Sequence, residues 1–101
     1  MKKRPMLIIR MNVDPKYDEE FNKYYNGKMA KFMEQVPLLV SSRRSVCERK
    51  GIKEYITIYE IESEDKIEEC LASIPDTKEW AEWEEKAVSN LVKGVYLDIE
   101  Y

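Results

Sequence analysis

The sequence predicts an α+β fold: a four-stranded antiparallel sheet with helices packed on one face. Three features carry that expectation. Apolar residues alternate with period two in three stretches, they recur at helical spacing in the stretches between, and Lys50-Gly51 separates two β-prone runs as a hairpin turn would.

Leu7, Ile9, Met11 and Val13 alternate with Ile8, Arg10 and Asn12, which predicts a first strand with two different faces. Asp14-Pro15 then supplies an N-cap and a favourable first helical residue, and Asp18, Glu19 and Glu20 suit the positive end of a helix dipole. That helix is expected from about Pro15 to Gln35, with Pro37 as its stop. Its weak point is Asn26-Gly27, a pair of poor helix formers that costs on the order of 1 kcal/mol. A locally loosened helix or a close neighbouring backbone would account for it.

Leu38 to Arg49 is β-prone and turns at Lys50-Gly51 into Lys53–Ile61, where Tyr55, Thr57, Tyr59 and Ile61 share one face and Ile56 and Ile58 the other. Ser63-Glu64-Asp65 opens a second helix with Ile67, Leu71 and Ile74 as its buried stripe, ended by Pro75. Asp76 and Glu79 read as a capping box for a further helical segment lined by Trp80, Trp83, Ala87 and Leu91 and closed by Gly94. In the last strand Val95, Leu97 and Ile99 alternate with Tyr96, Asp98 and Glu100. The order β-α-β-β-α-α-β is the ferredoxin-like split βαβ plan with a broken second helix and the first and third strands central.

A chain of 101 residues, 44% apolar and 37% charged, is expected to be one globular domain spanning residues 1–101. A net charge of −3 argues against nucleic acid, which needs clustered, uncompensated cations. Lys50-Gly-Ile-Lys-Glu-Tyr-Ile-Thr resembles an RNA-recognition signature but presents Ile52 and Glu54 where stacking aromatics are required. The basic start precedes only four apolar residues before Arg10, and no run approaches membrane-spanning length, so a cytoplasmic location without membrane contact is expected. Cys47 and Cys70 show no metal or redox spacing and are expected to be buried free thiols. Histidine is absent, which removes histidine triads, histidine-ligated haem and the usual histidine zinc sites. No metal or cofactor is expected, and Glu82, Glu84 and Glu85 read as solvated helix surface.

Helices on one side leave the other sheet face to be explained. The alternation predicts that Leu7, Ile9, Met11, Ile56, Ile58, Val95, Leu97 and Ile99 face the helices, and that Ile8, Arg10, Asn12, Tyr55, Thr57, Tyr59, Tyr96 and Asp98 make the open face. That mixture fits a second sheet docking across it with a pocket between, supplied by a second copy of the chain. The bland alternative is ordinary cross-strand packing of the tyrosines on a half-exposed face.

Phe21, Tyr24-Tyr25, Lys28, Pro37-Leu38 and Arg43-Arg44-Ser45 resemble the pattern of the EthD-like proteins in the dimeric α/β-barrel superfamily. The element order matches that plan along nearly the whole chain, whereas the motif covers residues 21 to 45. Glu64 to Trp83 is similar to antibiotic-biosynthesis monooxygenases, a neighbouring branch in which some members oxidise polycyclic aromatics without metal or flavin. The resemblance implies a homodimeric barrel with a small-molecule pocket and favours Arg44 as the arginine that reaches it. Lys28 stands where the family has histidine, Leu38 where it has glycine and Ser45 where it has an aromatic residue, so a histidine-dependent activity is not implied.

Strict helical spacing places Lys28 seven residues beyond Phe21, on the stripe with Tyr25 and Phe32. Either its methylenes cover Tyr24, Tyr25 and Phe32 while the ammonium reaches water, or it points into a cleft as ligand anchor or base. Arg10 and Asp98 are expected to pair on the open face, with recognition of an anionic ligand by Arg10 as the alternative. Trp80 and Trp83 are read as packing or as the cover of a pocket mouth. Asn12 is read as a backbone cap or as the group orienting a substrate oxygen. The candidate catalytic residues are thus Lys28, Asn12 and Arg44, and the candidate ligand contacts Arg10, Tyr24, Tyr55, Tyr59, Trp80, Trp83 and Asp98. The expected function is binding of a small, aromatic or polyketide-like molecule, with cofactor-independent oxygenation or proton-transfer isomerisation if catalytic. A non-catalytic dimeric binding, regulatory or protein-interaction module is the alternative.

Overall fold

The structure is a computed structural model that describes residues 3–99; Glu100 of the expected last strand lies outside them. The first strand, β1 (Met6–Val13), leads through a turn of 3-10 helix at Pro15–Tyr17 into α1 (Asp18–Tyr24). A π turn at Tyr25–Met29 joins α1 to α2 (Ala30–Glu34), so the three segments form one continuous helical run. β2 (Leu39–Arg49) and β3 (Ile52–Ile61) follow, then α3 (Ile67–Ala72), α4 (Lys78–Ala87) and β4 (Val88–Tyr96). The strands form one antiparallel sheet in the order β2-β3-β1-β4, with β1 and β3 central as the split βαβ plan requires.

Local chemistry explains most boundaries. Asp14 caps the first helical turn, its carboxylate accepting from the Lys16 amide at 3.0 Å, with Pro15 behind it. Lys50 and Gly51 have φ of 53° and 78°, the pair of left-handed residues that a two-residue hairpin turn needs to match strand twist.

Four expectations are corrected. Thr77, not Asp76, caps α4: its hydroxyl accepts from the Trp80 amide at 3.1 Å. The buried position of α3 is Cys70, while Leu71 is exposed, because the apolar step from Ile67 is three residues and not four. Cys47 is exposed on β2; only Cys70 is buried, and burial pushes its thiol pKa up. The helix through Trp80 and Trp83 ends at Ala87, not Gly94, and Leu97 and Ile99 follow the strand. β-branched Val88 pairs with Val13 at once, and a bulge between Arg10 and Asn12, with Asn90 at φ 53°, absorbs the extra residue of β4.

The largest correction concerns the sheet faces. In the observed register Leu7 lies opposite Tyr59, Ile9 opposite Thr57 and Met11 opposite Tyr55, so the tyrosines share the helix side with Leu7 and Met11. Ile56 and Ile58 instead lie opposite Arg10 and Ile8 on the open face. Tyr55, Thr57 and Tyr59 are all buried. Two core clusters result, one around Leu7, Met33, Tyr59, Ile61 and Cys70, the other around Met11, Phe21, Tyr25, Tyr55 and Ala87. Among the described residues no helix is long and apolar enough to cross a membrane.

Candidate functional site

The site begins with the helical run. Its buried stripe is Phe21, Tyr25, Met33 and Val36, with Met29 partly buried between. Those steps of mostly four residues outrun the 3.6-residue α period, and the wider π turn at Tyr25–Met29 takes up the difference. Asn26-Gly27 sits inside that turn, which explains why weak helix formers occur there. A close neighbouring backbone is not the reason, since nothing lies within 4 Å of where a Gly27 Cβ would be.

The same slip answers for Lys28. Its side chain is 76% exposed and its Nζ lies 3.5 Å from Glu79 Oε2, so it is a surface ion pair at a shallow pocket of about 90 Å³ beside Tyr24 and Phe32, apart from the cleft that Arg44 borders. Met29 and Met33 occupy the inward positions that strict α spacing assigned to Lys28 and Phe32.

Arg44 lies opposite Thr57 in the β2–β3 ladder and therefore points to the helix side, while Arg43, opposite Ile58, points to the open face. The Arg44 guanidinium carbon sits 4.4 Å from the Tyr25 ring centroid and 4.6 Å from that of Tyr55. Its Nη1 donates to Asn26 Oδ1 at 3.0 Å. Its Nε and Nη2 are buried and have no hydrogen-bond partner among the described residues. Burial lowers its pKa from the ordinary value, opposed by the nearby phenols and Asp18, but a guanidinium stays charged at neutral pH.

These groups border an outer cleft of about 380 Å³. Tyr25, Asn26 and Met33 form its helical wall, Leu39 to Arg44 its β2 wall, and Thr57 and Tyr59 its floor. Thr57 Oγ1 donates to the Tyr25 hydroxyl at 3.2 Å. Burial drives the Tyr59 phenol pKa far above the usual value, with lesser contributions from Tyr25, so Tyr59 is a neutral hydrogen-bonding group and not a base. Behind the guanidinium, Tyr55 donates to Asp18 Oδ1 at 2.5 Å and accepts from Asn22 Nδ2 at 2.9 Å. Lys53 Nζ lies 3.3 Å from Asp18 Oδ2. Burial raises the Asp18 pKa, but the hydrogen bonds from Tyr55 and Lys53 outweigh it and leave the carboxyl below its ordinary value. Burial and the Asp18 hydrogen bond raise Tyr55. This cluster locks the Tyr55 ring against Arg44.

Of the residues singled out in the sequence, Arg44 and Tyr59 line the outer cleft, and Tyr55 supports it from behind. Trp80 packs on Phe21 and Tyr25, with ring centroids at 6.2 and 6.1 Å. Trp83 packs edge-on against Phe21 and stacks with Tyr24 at 5.7 Å, and Lys86 Nζ stands 4.0 Å over its ring, so Tyr24 and Trp83 form a surface-facing stack away from the cleft. Arg10 pairs with Glu54 at 3.1 Å and not with Asp98, because β4 places Val92 opposite it; Asp98 lies 3.8 Å from Lys3. Asn12 donates to the Lys53 carbonyl at 3.0 Å and accepts from Asn90 at 2.9 Å, which fastens the bulge. Asn26, Tyr25 and Met33 were not singled out as contacts, although Asn26-Gly27 marked the turn that presents them.

No family model matches the sequence, and neither does any curated protein. Solved structures do match in shape. SnoaB, a cofactor-independent oxygenase from Streptomyces nogalater, superposes with a TM-score of 0.65 at 17% identity, over 98% of this chain and 96% of that one. A candidate antibiotic biosynthesis monooxygenase from Bacillus cereus gives 0.63 at 15% identity with the same coverage. A NIPSNAP-like domain protein from Burkholderia xenovorans gives 0.65 at 13% identity, over 98% and 89%. In fold, the chain is a ferredoxin-like α+β protein similar to the antibiotic-biosynthesis-monooxygenase-like structures.

Proposed function

We propose that the outer cleft binds a small aromatic or polyketide-like molecule carrying an acidic oxygen, and that the chain acts on it as a cofactor-independent oxygenase. The observation that carries this reading is Arg44, a cation among phenol rings with two buried donors unpaired. A buried donor without an acceptor costs about 1–3 kcal/mol. A phenolate or enolate oxygen removes that cost once Arg44 shifts its rotamer toward the cleft, and the adjacent Nε and Nη2 suit a fork-like, charge-assisted contact.

The chemistry follows from charge. A guanidinium beside an acidic oxygen favours its ionised form, and the resulting electron-rich carbon reduces dioxygen. A methylene flanked by activating groups becomes a carbonyl: one dioxygen is consumed, one of its atoms enters the product, the other leaves as water with both methylene hydrogens, and the substrate is the sole reductant. SnoaB, which shares this fold, is named a cofactor-independent oxygenase.

In this reading a second copy of the chain covers the open sheet face. That face carries Ile8, Ile56 and Ile58 beside exposed Val92 and Tyr96, with Arg10, Glu54 and Arg43 around them. Apolar centres with polar surrounds suit a symmetric interface. The cleft lies on the helix side, so each copy holds its own.

The test uses para-nitrophenol, whose phenolate is coloured. Binding is expected to lower its apparent pKa by about one unit, a preference of about 1.4 kcal/mol for the anion, and Arg44→Gln is expected to abolish the shift. An unshifted pKa in the parent protein, or an equal shift in Arg44→Gln, overturns the binding site. Oxygen uptake with polycyclic phenols, one mole per mole of product, then tests catalysis. A non-catalytic binding or regulatory module is the second reading, favoured by the raised Tyr59 pKa, which leaves that phenol no role as a base. Anion binding without oxygen uptake selects it.

A further inference from the structure

Behind the outer cleft lies an inner chamber of about 70 Å³. Tyr25, Met33 and Tyr59 line both spaces, so these three buried side chains are the partition between them. Ile9, Met29, Phe32, Ile74, Pro75 and Trp80 supply the rest of the apolar lining, and Thr77 with exposed Asp76 and Lys93 marks its open, solvent end.

Size restricts the occupant. An apolar cavity of about 150 Å³ takes a benzene ring, and a water molecule occupies about 30 Å³ in the liquid and wants two to four polar partners. The chamber is too small for an aromatic substrate, and away from its Thr77, Asp76 and Lys93 end the hydrocarbon-rich lining offers water few partners. A diatomic or a short alkyl group remains. The partition decides between them: an alkyl group attached to a ligand in the outer cleft must force buried Met33 and the Tyr25–Tyr59 pair apart, whereas a free diatomic slips past a thioether with three rotatable bonds.

We infer that the inner chamber is a dioxygen subsite, which concentrates the gas behind the Tyr25–Met33–Tyr59 partition and releases it onto a ligand held at Arg44. The inference rests on the oxygenase reading above for its purpose, but the subsite is measurable without turnover. Substrate and oxygen then arrive from different sides, and the ligand in the outer cleft does not obstruct the gas.

Dioxygen is paramagnetic, so it reports its own position. In protein saturated with oxygen rather than nitrogen, methyl protons of Ile9, Met29 and Ile74 are expected to relax roughly fivefold faster than exposure predicts, the enrichment expected for transfer of a solute the size of one or two methylenes out of water. Exposed Val46 supplies the reference. Ile74 borders the chamber and not the outer cleft. Ile74→Phe, with folding checked by circular dichroism and melting, is expected to remove the excess relaxation and leave nitrophenolate binding intact; Ile74→Ala serves if the larger residue destabilises the chain, and is expected to increase it. Where turnover is measured, Ile74→Phe is expected to raise the KM for dioxygen several-fold with ligand affinity unchanged. Relaxation that merely follows solvent exposure, or an excess that Ile74→Phe leaves in place, overturns the inference while the Arg44 binding result stands. Failure of nitrophenolate binding with excess relaxation retained overturns the Arg44 site and leaves the gas subsite.

Discussion

A guanidinium packed between two phenol rings, with only an asparagine oxygen as its partner, is held by packing more than by charge. Arg44 is in that position among the described residues, and its substitutions separate the roles. Arg44→Lys keeps a point charge but cannot present two coplanar donors, and is expected to weaken nitrophenolate binding about tenfold; Arg44→Gln is expected to weaken it up to about a hundredfold, the worth of a charge-assisted hydrogen bond. Lys28→Met is expected to leave affinity unchanged by the same titration, because its ammonium pairs with Glu79 outside the cleft. Asp18 tests the support behind Tyr55. Its pKa is depressed in the fold, so the unfolded chain binds the proton more readily; the stabilisation is present above the ordinary carboxylate pKa of about 4. It is lost as pH falls through the lower folded value. Urea midpoints of the parent are therefore expected to fall more steeply below about pH 4 than those of Asp18→Asn.

Among the elements, the helical run with its π turn places the site. The π turn lets Tyr25, Met33 and Val36 all face inward and brings Asn26 to Arg44. Gly27 has open space around a would-be Cβ and no positive φ, so Gly27→Ala is expected to raise unfolding stability by about 0.4–1 kcal/mol in denaturant titrations. Deleting Gly27 converts the π turn toward α spacing. It shortens the step from Tyr25 to Met29 from four residues to three, so the buried stripe is expected to stay inward with helix content in circular dichroism preserved, and a weakened Arg44-dependent nitrophenol shift is expected from loss of the wider turn that presents Asn26. Periodicity could not show this turn: Asn26-Gly27 announced a defect, but a defect and a functional turn share one local signature. The junction of α4 and β4 was hidden for a similar reason. Trp80, Trp83, Ala87 and Leu91 continue at helical spacing across a boundary that pairing with β1 imposes.

At the scale of the whole molecule, the sheet leaves one face without helices, and its register makes that face more apolar than the sequence pattern implied. Ile58→Glu puts a charge opposite Ile8 at its centre. A second copy docked there would bury that charge unpaired, so the variant is expected to run as a monomer in native mass spectrometry where the parent runs as a dimer. A parent that is monomeric at micromolar concentration removes the dimer from the proposal but not the cleft, because every cleft residue belongs to one chain.

The element order, the Lys50-Gly51 turn, the Asp14-Pro15 helix start and the lack of histidine chemistry were determined by the sequence alone, since each depends on residues close in the chain or on composition. Strand alternation showed that Arg43 and Arg44 face opposite sides, and the resemblance favoured Arg44, but its place on the helix side follows only from its register opposite Thr57. Which face of β3 turns inward was decided only by tertiary structure. Period two defines two faces without saying which meets the helices, and on β3 both are apolar enough to be buried. The antiparallel register with β1 settled it: Tyr55, Thr57 and Tyr59 lie opposite Met11, Ile9 and Leu7, and the Tyr55 and Thr57 hydroxyls find partners on Asp18 and Tyr25. Long phenols reach across to a helix and remain hydrogen-bonded there, which isoleucines cannot do, and the space they leave beside Met33 is the cleft.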